Sequence, residues 1–374
     1  MKTNHLIVLA VVAALAVAGA VAVSLSTGPG AGNTPAAGER LFPTLAAQIN
    51  DAQSVVIQRK DETVTLTKKD SVLMQGGWTV AEKYGYPAAF DKVRKLLVDL
   101  AELRPLEQKT STPALFGELQ LEDLSQPDAK SVLVTVKGPN GQDMLATYVG
   151  KERLARGGTA NDAVYIRKAN ETQTWLAKGR LSLDKGPVNW LDRALADVAR
   201  ERVQKATVTQ PDGTTITVSR AKPSDKDFTL AGVPKGKKAK SEYDVNQVAA
   251  PLEHLELDDV RPAADIAAPA KPGAAEIATF DGLVVRVDLL PGGDQTTWIR
   301  LQAKYEAPAA AAATDDEVKA GKLKSADEVK KEADALNTKS QAWVYKIPDW
   351  KLDTLRKKMP DLVEDEKRDE KKGS

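Results

Sequence analysis

The chain has 374 residues, of which 53 are Lys or Arg and 52 are Asp or Glu, so that its formal net charge is +1. This balance excludes the strongly basic surface with which proteins bind nucleic acid. The sequence contains no cysteine, which excludes disulfides, thiolate nucleophiles, iron–sulfur clusters and cysteine-ligated zinc.

Residues 6–23 are an uninterrupted run of Leu, Ile, Val, Ala and Gly. A helix of this length rises about 27 Å, which is close to the hydrocarbon thickness of a bilayer. The run is longer than the apolar core of about 7–15 residues in a cleaved signal peptide. We therefore predict an uncleaved transmembrane signal anchor. A cleaved signal peptide is the alternative, because the run is rich in Ala, which drives insertion only weakly.

Positive charge precedes the anchor, whereas no charge follows it until Glu39 and Arg40. This asymmetry predicts that residues 1–5 are cytoplasmic and that the rest of the chain is exported. Residues 24–39 are rich in Gly, Pro and Ala and are predicted to be a flexible linker. The predicted localisation is the bacterial cytoplasmic membrane, with a single span and with most of the chain periplasmic.

Residues 40–200 have the periodicity of a first α+β module. Alternation of apolar and polar residues predicts strands over residues 54–59, 63–67, 72–80, 131–136, 144–149 and 163–167. Apolar residues along one face predict a helix over residues 88–103. A closing helix is predicted over residues 190–198.

Residues 201–363 repeat this order of elements, which predicts a second, related module. Its strands are predicted over residues 205–209, 214–220, 227–230, 283–289, 297–303 and 341–347, and the last is the predicted counterpart of residues 163–167. Helices are predicted over residues 245–255 and 350–359. The predicted fold class is therefore α+β, with two tandem modules of antiparallel sheet and packed helix after one N-terminal transmembrane helix.

Residues 306–339 interrupt the second module with an Ala-rich and then strongly charged insertion. Its apolar stripe is thin, which predicts a solvated surface helix or a partly disordered loop. A partner-binding arm is the alternative. Residues 364–374 are almost wholly charged and are predicted to be a frayed tail.

The sequence carries no recognisable catalytic signature. Its two histidines, His5 and His254, are not accompanied by a Gly-x-Ser-x-Gly nucleophile elbow, and no phosphate-binding Gly-rich loop is present. Acidic neighbours such as Glu122 and Asp123 serve in glycoside hydrolysis only at a fixed separation, which a sequence does not provide. We therefore predict no catalytic residues, no cofactor, no metal ligands and no enzymatic activity. An exported hydrolase is the least favoured hypothesis.

Two other groups of side chains have a structural and a functional interpretation. The lysines Lys235, Lys237, Lys238 and Lys240 are predicted to form an exposed hairpin tip, and contact with anionic lipid is the alternative. The tryptophans Trp78, Trp175, Trp190, Trp298, Trp343 and Trp350 are predicted to be core side chains, and stacking on a ligand is the alternative.

Several short motifs follow one another along the first module. They are Gly77–Trp78, Tyr86–Pro87–Ala88, Leu115–Phe116–Gly117–Glu118–Leu119, Gly150–Lys151, Val164–Tyr165–Ile166–Arg167 and Asn189–Trp190–Leu191–Asp192–Arg193. In order and spacing they resemble the bacterial domain of unknown function 4340 family. The resemblance covers residues 54–200 and extends more loosely to residue 359, and the charged insertion departs from the family's compact pattern.

The resemblance implies a single-span envelope protein encoded beside ABC-2-type transporters, which include relatives of the gliding-motility permease and its auxiliary subunit. It thus implies a non-catalytic accessory or scaffolding subunit of such a transport system. The implied partners are the permease or its auxiliary subunit, besides the lipid bilayer around residues 6–23. The family has no established catalytic residues that could be transferred to this chain. The alternative is an envelope structural module that binds glycan or protein without a transporter.

Overall fold

The computed structural model describes residues 39–69, 77–154, 162–293, 295–308 and 323–366. The predicted cytoplasmic segment 1–5, the anchor 6–23 and nearly all of the linker 24–39 lie outside these residues. The same is true of residues 309–322 of the insertion and of most of the charged tail.

No helix in the described part of the chain combines the length and the hydropathy that crossing a bilayer requires.

The described residues form an α+β protein in which antiparallel sheets predominate. The α-helices are α1 (Pro43–Ala47), α2 (Phe90–Glu102), α3 (Phe116–Leu119), α4 (Glu242–Val248), α5 (Ala326–Ser340), α6 (Asp349–Leu355) and α7 (Met359–Leu362). The strands before residue 200 are β1 (Ser54–Arg59), β2 (Glu62–Lys68), β3 (Trp78–Val80), β4 (Tyr86–Pro87), β5 (Arg104–Gln108), β6 (Val132–Lys137), β7 (Asp143–Arg153), β8 (Ala163–Lys168), β9 (Thr174–Lys178) and β10 (Ala194–Ala196). The later strands are β11 (Val203–Thr209), β12 (Thr215–Ser219), β13 (Thr229–Leu230), β14 (Lys237–Ala239), β15 (Leu255–Glu256), β16 (Asp259–Pro262), β17 (Gly273–Thr279), β18 (Leu283–Pro291), β19 (Thr297–Tyr305), β20 (Trp343–Lys346) and β21 (Val363–Asp365).

The chain divides into two compact units whose sequences interleave. The first comprises the residues up to Asp61 together with Arg94–Leu183, and the second comprises Glu62–Val93 together with the residues from Asp184 onward. The boundaries of the predicted modules, 40–200 and 201–363, come from the repeated order of elements in the sequence. These two modules stay a prediction.

The first unit contains an antiparallel sheet with the strand order β1-β6-β7-β8-β9-β5. Val55 lies opposite Val136 and Ile57 opposite Val134, and all four side chains are buried. Alternate residues of a strand point to opposite faces of its sheet, so this register places the apolar residues of both strands in one core.

The second unit contains a sheet with the order β13-β12-β11-β17-β18-β19-β20-β16, and in the same unit β2, β3 and β4 pair in sequence. The long strands β17, β18 and β19 form an antiparallel meander in which Ile277 lies opposite Val285 and Val285 opposite Ala303. These side chains are buried and form part of the core of the unit.

Six strands of each unit have the same spatial order. When β1 and β5–β9 are numbered by their position in the chain, they lie in the order 1-3-4-5-6-2, and β11 and β16–β20 lie in the same order. The strand β20 therefore takes the position of β9. The similarity of Val344–Tyr345 to Val164–Tyr165 had suggested the position of β8 instead. Such a dipeptide is a weak guide because apolar pairs recur in any buried strand.

The predicted helix over residues 190–198 is wrong. A short 3-10 helix ends at Trp190, and β10 follows, paired with β15. Leu191, Leu195 and Val198 have helical spacing and are buried, but the backbone N–H of Asp192 donates to the carbonyl of Pro87 at 2.9 Å. Tertiary pairing has thus replaced the local hydrogen bonds of a helix.

Other differences concern the positions at which helices end and strands whose sequence pattern is weak. The helix predicted over residues 245–255 ends at Val248, and that predicted over residues 350–359 ends at Leu355. The strands β5, β9, β16 and β17 were not predicted, because they lack a clean alternation or are bordered by weak turn signals. The hairpins β11–β12 and β18–β19 are confirmed.

The second half of the insertion is a helix, as one of the predictions had it, and this helix is docked on the sheet through part of its surface. The alternative of a partner-binding arm stays a prediction. A capping box of Ser325 and Glu328 begins α5, and Val329 and Ala333 are buried where the helix lies against β18, β19 and β20. The side chain of Asn337 accepts the backbone N–H of Ala303 at 2.8 Å and donates to its carbonyl at 2.7 Å. A thin apolar stripe is therefore sufficient here because hydrogen bonds supplement it.

A buried ion network fixes the same helix to the sheet. The guanidinium of Arg202 donates to both carboxylate oxygens of Asp281, at 2.8 and 3.2 Å, and to both oxygens of Glu332 on α5, each at 2.9 Å. Burial by itself would raise the pKa of Asp281, but hydrogen bonds from Arg202, Thr279 and the backbone of Lys324 lower it below the ordinary value of 3.8. The carboxylate is therefore charged at neutral pH.

We expect Asp281→Asn to lower the free energy of unfolding at pH 7 by about 3 kcal/mol, because the variant removes one of the two carboxylates that pair with the buried guanidinium of Arg202. The folded-state pKa of Asp281 lies below its unfolded value, so its contribution is present above pH 3.8 and is lost as the pH falls through the folded pKa. Urea unfolding at several pH values measures both effects.

The matched control for this prediction is Asp365→Asn, which removes an ion pair between Lys237 and an aspartate whose side chain is 84% exposed. The control should leave stability unchanged. Equal losses from the two variants, or a difference between wild type and Asp281→Asn that persists at the lowest pH, would contradict the prediction.

We expect Asn337→Ala to lower the free energy of unfolding by about 2 kcal/mol, because it leaves a backbone donor and acceptor of Ala303 unpaired. Lys331→Ala changes an exposed residue of the same helix and should have little effect. Thermal and urea unfolding compare the two variants. Indistinguishable stabilities would show that α5 is not held through Asn337.

Candidate functional site

An open cleft of about 630 Å³ lies in the first unit. This volume is in the range of roughly 300–1,000 Å³ that is usual for binding pockets. The cleft is lined by Pro113, Ala114, Phe116, Gly117, Glu122, Asp123, Gln126, Pro127, Asp128 and Lys130. One wall is a 3-10 helix followed by α3, and the other is the loop of residues 122–130.

The loop wall is held closed by hydrogen bonds across its base. The carboxylate of Glu122 accepts the backbone N–H of Lys130 at 2.6 Å, and the hydroxyl of Ser131 donates to the carbonyl of Glu122 at 2.6 Å. The N–H of Leu121 donates to the carbonyl of Phe116 at 2.9 Å, which ties the loop to α3. The two walls are thus preorganised.

A buried arginine contacts residues of both walls of the cleft. The guanidinium of Arg167 on β8 lies 4.6 Å from the ring centre of Phe116 and 4.2 Å from that of Tyr148. It donates to the carbonyl of Leu121 at 3.0 Å and to the carboxylate of Asp123 at 2.7 Å. Stacking on two aromatic faces and a carboxylate partner together compensate the burial of this charge.

Two groups at the cleft, Asp123 and Tyr148, have pKa values that are shifted away from neutral pH. The hydrogen bond from Arg167 lowers the pKa of Asp123 below 3.8, although partial burial acts in the opposite direction. Burial, followed by the negative charge of Asp123, raises the pKa of the Tyr148 hydroxyl above 10.0. Neither group is therefore poised for proton transfer at neutral pH, which requires a pKa near the working pH.

The lining offers more hydrogen-bond acceptors than donors. Glu122, Asp123 and Asp128 contribute carboxylates and Lys130 contributes the single ammonium. The Oε2 atom of Glu122 is buried and accepts no hydrogen bond from the described residues. The described lining of the cleft is thus rich in hydrogen-bond acceptors.

The acidic neighbours considered in the sequence, Glu122 and Asp123, are brought together in this cleft, where each has a structural role. His254 lies elsewhere, with its side chain 82% exposed and its Nδ1 3.1 Å from the carboxylate of Asp197. Within the described ranges, no group of three or more His, Asp or Glu side chains could hold a metal ion.

The Lys-rich segment is paired with the acidic end of the chain. Its strand β14 pairs with β21, so that Lys237 lies opposite Asp365 and Lys238 opposite Glu364. The corresponding ion pairs span 2.8 and 3.3 Å. The segment is largely exposed as predicted, but it is not a hairpin tip, because its strand pairs with a remote strand. Two of its lysines are paired with acidic neighbours that sequence order did not suggest.

Most of the tryptophans are core side chains, as the sequence predicted. Those that are buried are Trp78, Trp175, Trp190 and Trp298. Trp343 is half-buried and contacts the ring of Tyr86 edge-on, with ring centres 5.2 Å apart. Trp350 differs from the prediction because its side chain is 62% exposed on α6.

The motif residues gather in two places, one in each unit. Around the cleft these are Phe116, Arg167 and Gly150, where a Cβ atom would lie 2.2 Å from the carbonyl oxygen of Leu119. In the second unit the backbone of Pro87 and Ala89 bonds with that of Asp192 and Trp190. Gly150 directly follows the strand predicted over residues 144–149 and lies within β7, and a glycine within a strand indicates close approach of another backbone.

The fold and the cleft define a mixed α+β protein built on antiparallel sheets, with a stacked arginine at its candidate site. The sequence profile described as "Domain of unknown function (DUF4340)" matches residues 78–274. This is more than half of the chain, and the chain belongs to that family, as the motifs had suggested. The match includes the whole cleft. No curated protein and no solved structure matches the chain.

We expect Gly150→Ala to destabilise the protein by about 2 kcal/mol, because the added methyl group collides with backbone atoms that form a wall of the cleft. Gly117→Ala is the matched control, since nothing lies within 4 Å of the position of its Cβ and alanine favours the helix by about 1 kcal/mol. Urea unfolding measures both variants. The prediction is wrong if the two substitutions change stability in the same direction.

Proposed function

We propose that this protein is a membrane-anchored, periplasmic accessory or scaffolding subunit of an ABC-2-type transport system and that it is not an enzyme. The observation that carries the proposal is the apolar run of residues 6–23, because a retained helix keeps the two folded units within reach of a membrane partner. Membership of the family adds to this support through the association with such transporters that the resemblance implies.

The surfaces proposed for the partner lie in the first unit. The strand β5 is at the edge of its sheet, and Leu106 within it is 51% exposed. An exposed edge strand offers backbone groups to an extended segment of another protein. The cleft at residues 113–130 follows β5 in the chain, and its rigid walls favour binding because little conformational freedom is lost there.

We further propose that the chain arose by internal duplication of one α+β module. The support is the common order of six strands, 1-3-4-5-6-2, in the two units. In both sets a helix, α2 or α4, lies in the chain between the first and the second strand, although β15 intervenes between α4 and β16, and the second strand lies at the edge beside the sixth strand. A duplicated module would supply two similar rigid bodies on one anchor, which suits a scaffold.

The proposal is tested by purifying the full-length protein from its own membranes in mild detergent and measuring its intact mass. We expect the mass to include residues 6–23 and the permease or its auxiliary subunit to copurify in stoichiometric amount. A single-span protein of unrelated sequence, purified in the same detergent, is the control for adventitious capture.

A second arm replaces residues 1–38 by a cleavable signal peptide, which would release the same folded units from the membrane. We expect this variant to lose the transporter while remaining folded. If residues 6–23 are already removed in the native protein, or if the released form binds cell-wall material and no transporter component, the accessory role is refuted and an envelope structural or glycan-binding role takes its place.

A further inference from the structure

We propose that the edge of β19 is a pairing site for β19 of a second copy of this chain and that the insertion helix α5 prevents this pairing by covering the edge. The helix and the strand both belong to the second unit, and both lie outside the range 78–274 that matches the family. The proposal concerns contacts within the folded part of the chain and does not depend on the function proposed above.

The strand β19 extends beyond the strand that pairs with it. Within the described residues, the register between β19 and β20 consists of the single pair Ile299 and Tyr345, although β19 continues to Tyr305. In the first unit, β8 and β9 occupy the corresponding positions and pair over five residues of each strand. Residues 301–305 are therefore a stretch of β19 at which this module is able to accept a further strand.

Side chains of α5 bind the backbone of this stretch in the place of a strand. The hydroxyl of Ser340 donates to the carbonyl of Leu301 at 3.0 Å, and the amide of Asn337 bonds with both the N–H and the carbonyl of Ala303. These backbone groups belong to alternate residues and point out of the edge, which is the direction in which another strand would bond. The helix therefore occupies the site of a missing strand.

An edge of this kind is suited to pairing with a second copy. A row of outward backbone donors and acceptors is a template for another strand, and proteins cover such edges with helices or loops. The stretch of residues 301–305 is close to the mean strand length of about 5–6 residues. An antiparallel pair is also self-complementary, because a two-fold axis brings the same residues of two copies opposite each other.

The charges on the exposed face of β19 select one register for this pair. Gln302 and Lys304 are exposed, and a two-fold axis at Ala303 places each Lys304 opposite Gln302 of the second copy. A shift of two residues in one direction places Lys304 opposite Lys304, and a shift in the other direction places it opposite Arg300. Like charges directly opposite each other are destabilising, so the register centred on Ala303 is favoured.

The contacts that hold the helix allow it to be displaced without changing the sheet. Glu332 pairs with Arg202 at 2.9 Å and with Lys324 at 3.0 Å, and Asn337 bonds with Ala303. The double variant Glu332→Lys/Asn337→Asp, the open-edge variant, places an ammonium beside two cations and a carboxylate beside the carbonyl of Ala303. Both changes weaken the attachment of α5 to β19.

The matched control is the double variant Asp334→Lys/Thr338→Asp. It makes the same change of net charge on the same helix, but at two exposed positions. We expect its α5 to stay docked, so that any difference between the two double variants reports the covering of the edge and not the charge of the chain.

Disulfide crosslinking measures the pairing, because the chain contains no cysteine of its own. Gln302→Cys and Lys304→Cys are introduced into separate samples of the full-length open-edge variant, and the two samples are mixed in maltoside micelles and oxidised with diamide. In the register centred on Ala303 these positions form a non-hydrogen-bonded pair with Cα atoms about 4.5 Å apart, which a disulfide spans. Non-reducing electrophoresis measures the yield of dimer.

We expect the mixed sample of the open-edge variant to give about tenfold more crosslinked dimer than the mixed sample of the matched control, since the loss of one charge-assisted contact changes an equilibrium by roughly this factor. Wild type with the same two cysteines should behave as the control does. Either cysteine sample oxidised alone should give less dimer than the mixture, because identical positions are not opposite each other in this register.

Ala303→Pro in the open-edge variant tests whether the edge itself is the site of pairing. The backbone N–H of Ala303 bonds with Asn337, so its removal leaves the ladder between β18 and β19 intact, and proline is tolerated on an edge strand. We expect the yield of dimer to fall to that of the control. Circular dichroism verifies that every variant is folded.

The proposal is overturned if the folded open-edge variant and its control give the same yield, if one cysteine sample alone gives as much dimer as the mixture, or if Ala303→Pro leaves the yield unchanged. Should the open-edge variant not fold, Glu332→Lys alone is compared with Asp334→Lys alone by the same criteria. The transporter experiment uses the wild-type chain, and its failure would leave these outcomes unaffected.

Discussion

The burial of guanidinium groups is the constraint on which the loops of both units depend. A buried charge is tolerated only when its donors are satisfied, and Arg167, Arg202 and Arg220 each meet this requirement with segments distant in sequence. Arg220 stacks on the rings of Phe228 and Phe280 and donates to backbone carbonyls, among them those of Val203 at 2.9 Å and Asp225 at 2.6 Å. These hydrogen bonds hold the segments that carry the carbonyls against the buried guanidinium.

This constraint also fixes the cleft of the first unit and the insertion helix of the second. Arg167 holds a wall of the cleft through Leu121 and Asp123, while Arg202 holds the insertion helix on its sheet through Glu332. A rigid surface loses little entropy when a partner binds. Rigidity of this kind suits the scaffolding role that we propose.

The sequence predicted those elements whose information is local. The hairpin β11–β12 was predicted from alternation around Asp212–Gly213, because a tight turn of this kind tolerates positive φ values. The strands β9 and β17 were missed, since Trp175 and Ala275 are stabilised by neighbouring strands and not by their own pattern. The helix predicted over residues 190–198 was wrong for the same reason, as apolar residues at helical spacing there serve a segment that pairs with distant backbone.

For the candidate site, the sequence alone determined the family, through short motifs in a fixed order, and the lack of a recognisable catalytic motif. It did not determine that Phe116, Gly150 and Arg167 meet at one cleft, because their proximity results from the order of the strands that carry them. The docking of α5 was likewise decided by Asn337 and Glu332, whose partners are remote in the chain. Secondary-structure propensity and turn chemistry depend on neighbouring residues. The pairing of buried polar groups depends on residues that are distant in the chain and become neighbours only when the sheets form.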